Sequence, residues 1–346
     1  MPKTIKTKYL ILGSGVGGLS AGANLKKLDE DFIIVDKQEK LPNNLSNGLH
    51  YLHSTDLKLP FHTDFKSCIL TENVWDPRTN KFSNYSFLPE MFEYSKKIME
   101  DLRHPSSIMD PGKRNCVWVP ESNNMNDLLN QCHDYIGSEH FKFGFSLASV
   151  AKEMKTAIFK NSKDEVMNVE YEYLITTMPV DKFVEIAKIE HNLEFKFKNL
   201  NMTNYKPKNI VPNWMIVLYI SDPKFIPYRI SCFNNVISME SLKELKYEDE
   251  IIVKYLLRDL FDYDLESKEV YEWKSGRIFG ISKDERMKIV KEMIDCDIYP
   301  VGRFALWNGK IRMDDTARQA HDVVELIKVN IFDKSEQEII ECIYGQ

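Results

Sequence analysis

The apolar positions of this chain cluster in short runs near its two ends and in its middle. Residues 8–12 (KYLIL) form the first run, GSGVGGLSAGANLKKL follows, and FIIVD comes at 32–36 after Asp29-Glu30-Asp31. Such a pattern predicts a strand, a tight turn, a helix and a second strand. A later apolar run, YLITTMP at 173–179, predicts a strand that Pro179 ends, with DKFVEIAKI continuing as a helix. Near the end, Asp314 and Asp315 precede a segment with apolar Ala317, Ala320, Val323, Val324 and Ile327. That spacing predicts an amphipathic helix with an acidic start, and either aspartate would serve as its N-cap.

Between these pieces the pattern changes. Residues 70–110 are rich in Asn, Pro, Phe and Tyr, with one predicted helix in PEMFEYSKKIMEDL. The block 210–280 alternates like strands in NWMIVLYIS and YRISCFNNVIS, with a helical stretch DEIIVKYLLRDLF before KEVYEWKSGRIF. No internal repeat is visible. The expected architecture is mixed α/β: a Rossmann-like nucleotide-binding domain from residues 1–69, 111–185 and 296–346, and an inserted mixed-sheet substrate domain from 70–110 and 186–295.

Composition narrows the classes. The 346 residues are 43% hydrophobic and 28% charged, which is globular rather than disordered or fibrous. The 46 basic and 52 acidic side chains leave a net charge of −6, so nothing in the overall charge asks for nucleic acid, and such a role would need a local basic patch. Lys96-Lys97, Lys113-Arg114 and Lys152-Lys155 read as solvated faces. Cys68, Cys116, Cys132, Cys232, Cys296 and Cys342 are scattered, so no metal site or disulfide framework is expected, and reduced thiols suit a cytoplasmic setting. Residues 9–25 carry no charge and follow three lysines, as in a signal peptide or membrane span. Gly13, Gly15, Gly17, Gly18 and Gly22 weaken that block, and no span is expected.

Those glycines have a chemical explanation. Gly13-Ser14-Gly15-Val16-Gly17-Gly18 satisfies GxGxxG directly after a strand and at the opening of a helix. Gly13 permits the turn, Gly15 lets a pyrophosphate approach the backbone, and Gly18 lets helix and strand pack closely. Free amides at the helix start hold the anion. Asp36 and Lys37 close the next strand, about twenty positions on, where an acid binds ribose hydroxyls.

The chain resembles the FAD-dependent superfamily of amine oxidases, protoporphyrinogen oxidases and UDP-galactopyranose mutases. NGLHYLHS at 47–54 is similar to the GxHxFH[ST] stretch of the mutases, matching at Gly48, His50, His53 and Ser54, with Leu52 in the phenylalanine position. YEYLITTMPVDKF at 171–183 resembles the strand and proline turn by which those chains return to the nucleotide domain. PVGRFALWNGKIRMDD at 300–315 is similar to their C-terminal flavin segment. The resemblance implies FAD as cofactor, Gly302 and Arg303 beside the flavin, the Met313 backbone at its pyrimidine edge, and Val150 against the adenine. A helix starting near Asp314 would aim its amides at the flavin carbonyl and stabilise charge there. VWVPESNNMNDLL at 117–129 looks like the family's PxGGM turn with Asn123 and Asn124 for the glycines, and asparagine tolerates the left-handed backbone needed there.

On the substrate side, His50 and His53 are the titratable candidates, since a histidine beside a flavin changes charge near neutral pH. PYRISCFNNV at 227–236 resembles a mutase strand whose arginine holds the substrate pyrophosphate, which makes Arg229 an anion clamp or else one half of a surface ion pair. Trp214, Tyr219, Tyr228, Phe233, Trp273 and Trp307 are candidates for an aromatic wall over the flavin, or for ordinary core. The interval between His53 and Pro120 is short for the mutases' uridine-binding lid. The expected function is therefore an FAD-dependent oxidoreductase taking hydride from a C–N or C–C bond of a small anionic or amine-bearing substrate. The alternatives are a non-redox mutase acting on a nucleotide sugar, and a flavin-binding protein without turnover.

Overall fold

The computed structural model describes residues 3–43, 45, 49–76, 81–84, 93–94, 96–98, 116–207, 215–245, 247, 251, 265–329, 341 and 343–344. Two sheets organise these residues.

The first sheet carries the opening unit. β1 (Lys3–Leu12) and β2 (Phe32–Asp36) lie parallel, joined through α1 (Val16–Lys27). β9 (Val166–Thr176) lies parallel to β1 on its other side, and β6 (Phe141–Phe143) extends the sheet beyond β2. β7 (Phe145–Ala151) and β8 (Thr156–Asn161) form an antiparallel meander into β9, whose second half pairs instead with β15 (Ile298–Pro300). All of β2 is buried, as expected of a parallel strand covered on both faces. Alternation sorts the side chains: Tyr9, Ile11, Phe32 and Ile34 pack with α1, while Leu10, Leu12, Ile33 and Val35 face the meander and α3 (Val180–Ala187). Pro179 is the N-cap of α3, as its missing N–H and fixed φ favour.

The second sheet runs β14 (Leu265–Ile278), β10 (Phe197–Pro207), β13 (Val236–Ser241), β12 (Pro227–Phe233), β11 (Met215–Ile220), β3 (Phe65–Asp76), β4 (Lys81–Asn84). Its neighbours are antiparallel except β11 and β3. Asn234 and Asn235, both at positive φ (48° and 62°), form the two-residue turn of the β12–β13 hairpin.

The domain edges fall away from the expected ones. β3 crosses the expected division at 69/70, pairing at one end with β5 (Cys116–Pro120) and at the other with β11. β5 is therefore continuous with the second sheet, whereas the sequence pattern places 111–185 with the first. Ile289, Val290, Met293 and Ile294 of α4 (Lys283–Ile294) pack into the clusters of the first sheet, whereas the sequence pattern places 186–295 with the second. A strand long enough to serve two partners and a helix with apolar residues on two faces carry no local mark of which layer they join.

Several other expectations change. Lys97 is no solvated lysine: its Nζ donates to the carbonyls of Ile220 (3.1 Å) and Pro227 (2.7 Å), tying together the ends of β11 and β12. Lys155 pairs with Asp297 at 2.6 Å. Lys113 and Arg114, Trp214, Cys342, Gly48 and most of the two predicted helices at 89–102 and 249–261 lie outside the described residues. The described cysteines are free thiols, and among the described residues no acidic, Cys or His group suits a metal and no helix is long and apolar enough to cross a membrane.

Candidate active site

The glycine turn is built as its spacing predicts. Gly13 has φ +98°, and a Cβ there would lie 2.3 Å from the Thr177 hydroxyl. A Cβ on Gly18 would lie 1.8 Å from the carbonyl oxygen of Gly13, and one on Gly17 would press on Thr177, Val301 and Thr316 at 3.1 Å each. Gly15 differs, since a Cβ there would meet nothing within 4 Å. The chain itself has no need of glycine at that position, so the space in front of it suits a ligand. Gly15 is also the N-cap of α1, makes no side-chain cap, and is followed by no acid in the first turn. The amides of that turn are therefore left for an outside anion. Val16, the first helical residue, turns its side chain toward the histidine loop.

Asp36 closes the turn from the other side. Its Oδ2 accepts from the backbone N–H and the hydroxyl of Ser14 (2.6 and 2.7 Å), and its Oδ1 accepts from the Gln38 amide. Lys37 is exposed beside it. Val150 is buried on β7 in the cluster that holds Leu12 and Val35.

Three helix starts meet at one small core. Leu52, Leu57, Met125, Leu128 and Ala317 are buried together, with Val16 and Met313 against them. α2 (Asn126–Ile136) follows a turn in which Asn123 has φ +63°, the left-handed geometry expected where relatives carry glycine. α5 (Met313–Val329) begins at Met313. Neither aspartate is its N-cap: Arg312 stands there, and Asp315 reaches back to accept the Arg312 amide at 3.0 Å. Asp314 is buried, with Oδ2 accepting from Arg318 and Oδ1 unpartnered. Gly302 is at φ +91°, where a Cβ would press on Thr316, and its amide donates to Gln319.

The histidine loop is pinned between the sheets. Leu52 and Trp118 exchange both backbone hydrogen bonds at 2.9 Å, which holds half-buried His50 and His53 next to the helix starts. His50 stacks on Trp273 of β14 (centroids 5.6 Å apart), and His53 meets the edge of Tyr51.

Opposite this loop lies a group of arginines that only the tertiary structure assembles. Arg303 sends Nε to the Ile311 carbonyl at 2.9 Å. Burial first, then the like charges of Arg277, Arg229 and Arg312, lower its pKa to about 10. Arg229 is neither a surface ion pair nor an open clamp. It donates through Nε and Nη2 to Glu240 on the neighbouring strand, and Glu240 is 1% exposed. Burial opposes the charge of Glu240, yet Arg229, Arg277 and the Tyr228 hydroxyl outweigh it and hold the carboxyl below its usual range. Arg277, which the strand pattern did not single out, lies over the Tyr228 ring at 5.1 Å and makes no ion pair among the described residues. Its signal in sequence is a lone arginine beside Gly276, indistinguishable from any surface arginine.

The aromatic candidates divide. Tyr219, Tyr228, Phe233 and Trp273 share one cluster with Leu49 and Tyr51 of the histidine loop. Trp307 does not join them. It is wholly buried beneath the first sheet against Phe195, at φ +47°.

No protein-family model matches the chain, and no curated protein sequence matches it. Solved structures do. A reduced UDP-galactopyranose mutase superposes with a TM-score of 0.69 over 96% of this chain and 99% of its own, at 16% identity. A protein of Exiguobacterium sp. 255-15 bearing the name protoporphyrinogen oxidase gives 0.63 over 95% and 99%, at 9% identity. A p-nitrophenol 4-monooxygenase of Pseudomonas putida DLL-E4 gives 0.59 over 99% and 84%, at 8% identity. The fold expected from the sequence resemblance, a Rossmann-like FAD flavoenzyme fold with an inserted sheet, is the fold of this chain.

Proposed function

We propose that the chain is an FAD-dependent oxidoreductase that takes hydride from a small organic substrate held between the flavin and the second sheet. The observation that carries this is the empty surround of Gly15 at an uncapped helix start, while the other glycines of the turn are demanded by the chain's own packing. That combination fits a pyrophosphate. By analogy with the fold, Asp36 would meet a ribose, and Gly302, Arg303 and the N-terminal amides of α5 would hold an isoalloxazine.

FAD bound there would supply the hydride acceptor. The chain's own part is to bind, orient and exclude water. The N-terminal amides of α5 would stabilise negative charge near the flavin carbonyl, Arg303 would add a positive charge, and the His50–Trp273 stack would form a wall on the substrate side. No side chain at this face is needed as a base to take hydride from an amine.

Denaturing the purified protein and identifying the released molecule tests the cofactor. Anaerobic bleaching of the flavin absorbance by a member of an amine panel tests the chemistry, and no bleaching across amines and acceptor-activated C–C substrates rejects it. A second reading, a non-redox mutase on a nucleotide sugar, draws on the full-length match to the mutase structure. Against it stands Arg229, whose Nε edge is taken by Glu240. A flavin spectral shift on adding UDP would favour that second reading.

A further inference from the structure

Consecutive residues of a regular strand point to opposite faces, yet Tyr228 and Arg229 both reach the same carboxylate. The register explains it. Pro227 pairs with Ser241 and Arg229 with Glu240, which leaves Tyr228 as an extra residue in β12 and turns both side chains to one side. The two oxygens of Glu240 are divided between them: Oε1 accepts from Arg229 and Oε2 from the Tyr228 hydroxyl at 2.5 Å. A second irregularity acts on β14. Leu200 pairs with Trp273 and Lys198 with Arg277, and Gly276 in between lies so close to Leu200 that a Cβ would sit 2.4 Å from the leucine Cβ. The bend brings Trp273 onto His50 and Arg277 onto the Tyr228 ring.

The outcome is an asymmetric pair of arginines. Arg229 is neutralised by a buried carboxylate that occupies its Nε edge. Arg277 keeps its charge, lies over the Tyr228 ring with its Nε donating to the Tyr228 hydroxyl at 3.4 Å, and has Tyr94 nearby, which leaves its two terminal nitrogens for a ligand. A flat guanidinium matches the two oxygens of a carboxylate, and the aromatic surroundings suit an apolar body attached to it. A pyrophosphate would bring its larger negative charge close to the buried Glu240 carboxylate.

We propose that Arg277 binds the carboxylate of a monoanionic substrate with an apolar body, and that Glu240 is a positioning residue which withholds Arg229 and so selects a monocarboxylate over a pyrophosphate. This rests on the flavin reading for the direction from which substrate arrives.

The test is calorimetric titration of the purified holoprotein with benzoate and, separately, with inorganic pyrophosphate. Benzoate is expected to bind one-to-one and more tightly than pyrophosphate. Arg277→Met should abolish benzoate binding and Arg277→Lys should retain part of it, with flavin content unchanged in both. Glu240→Gln frees Arg229 and should raise pyrophosphate affinity about tenfold while leaving benzoate within a few-fold. Pyrophosphate binding more tightly than benzoate to the unmodified protein, or benzoate surviving Arg277→Met, overturns the proposal. Should Glu240→Gln fail to fold, the Met and Lys variants at 277 decide alone. Absence of flavin in the denatured extract defeats the cofactor reading, whereas flavin present with the wrong anion preference defeats only this inference.

Discussion

Ser14, in the turn between β1 and α1, and Asp36, the last residue of β2, are joined twice through one oxygen: Oδ2 of Asp36 accepts from both the amide and the hydroxyl of Ser14. Both residues are buried, so the tether fixes the glycine turn from within. Asp36→Ala leaves a buried amide and hydroxyl unsatisfied, which costs about 1–3 kcal/mol for each group that finds no water. A fall in the urea midpoint together with loss of retained flavin is the expected result.

Gly15 and Gly18 separate ligand binding from folding. Gly18→Ala forces a methyl group to 1.8 Å from a backbone oxygen and should destabilise the protein by about 3 kcal/mol or more, or prevent soluble expression. Gly15→Ala meets no protein atom and should change unfolding by only about 1 kcal/mol as an N-cap replacement. It should nevertheless release the nucleotide. Thermal melts and flavin-to-protein ratios on the two variants check this.

Glu240 makes stability depend on acid. Because its folded carboxyl titrates below the usual range, the unfolded state binds the proton first as pH falls. The stabilisation is fully present above the unfolded value near 4.5 and is lost as pH drops through the folded one. Urea midpoints measured downward from pH 7 should fall more steeply for the native chain than for Glu240→Gln. Glu240→Ala, which strands buried Arg229, should cost about 3–5 kcal/mol.

Lys97 gives a slope of the same sign in an alkaline window. Burial first, offset in part by Asp222, lowers its pKa to about 7. Between that value and the unfolded one near 10.5 the unfolded state holds more protons, so stability should rise as pH increases through this window. Lys97→Met should flatten the rise in denaturant midpoint between pH 7 and pH 10.

Much of the first sheet is readable from the chain alone. The strand, glycine turn, helix and second strand at 3–36 follow from spacing, because a tight turn and a close helix–strand contact admit only glycine at Gly13 and Gly18. Asn123 kept its left-handed turn for the same local reason. α5 begins at Met313, one residue ahead of the Asp314 near which its start is expected, and Asp315 acts from the third helical position rather than as the N-cap.

What the sequence by itself determined, then, is the set of local conformations and the apolar faces of the opening and closing elements, where neighbouring residues dictate backbone geometry. Which layer β5 and α4 join, the burial of Trp307 and Lys97, and the meeting of Tyr228, Arg229, Glu240 and Arg277 were decided only by the tertiary structure. The physical reason is that those contacts depend on one inserted residue in β12 and an irregularity in β14, which redirect side chains across strands far apart in the chain. Alternation of polar and apolar residues carries no trace of such a shift until the partner strand is in place.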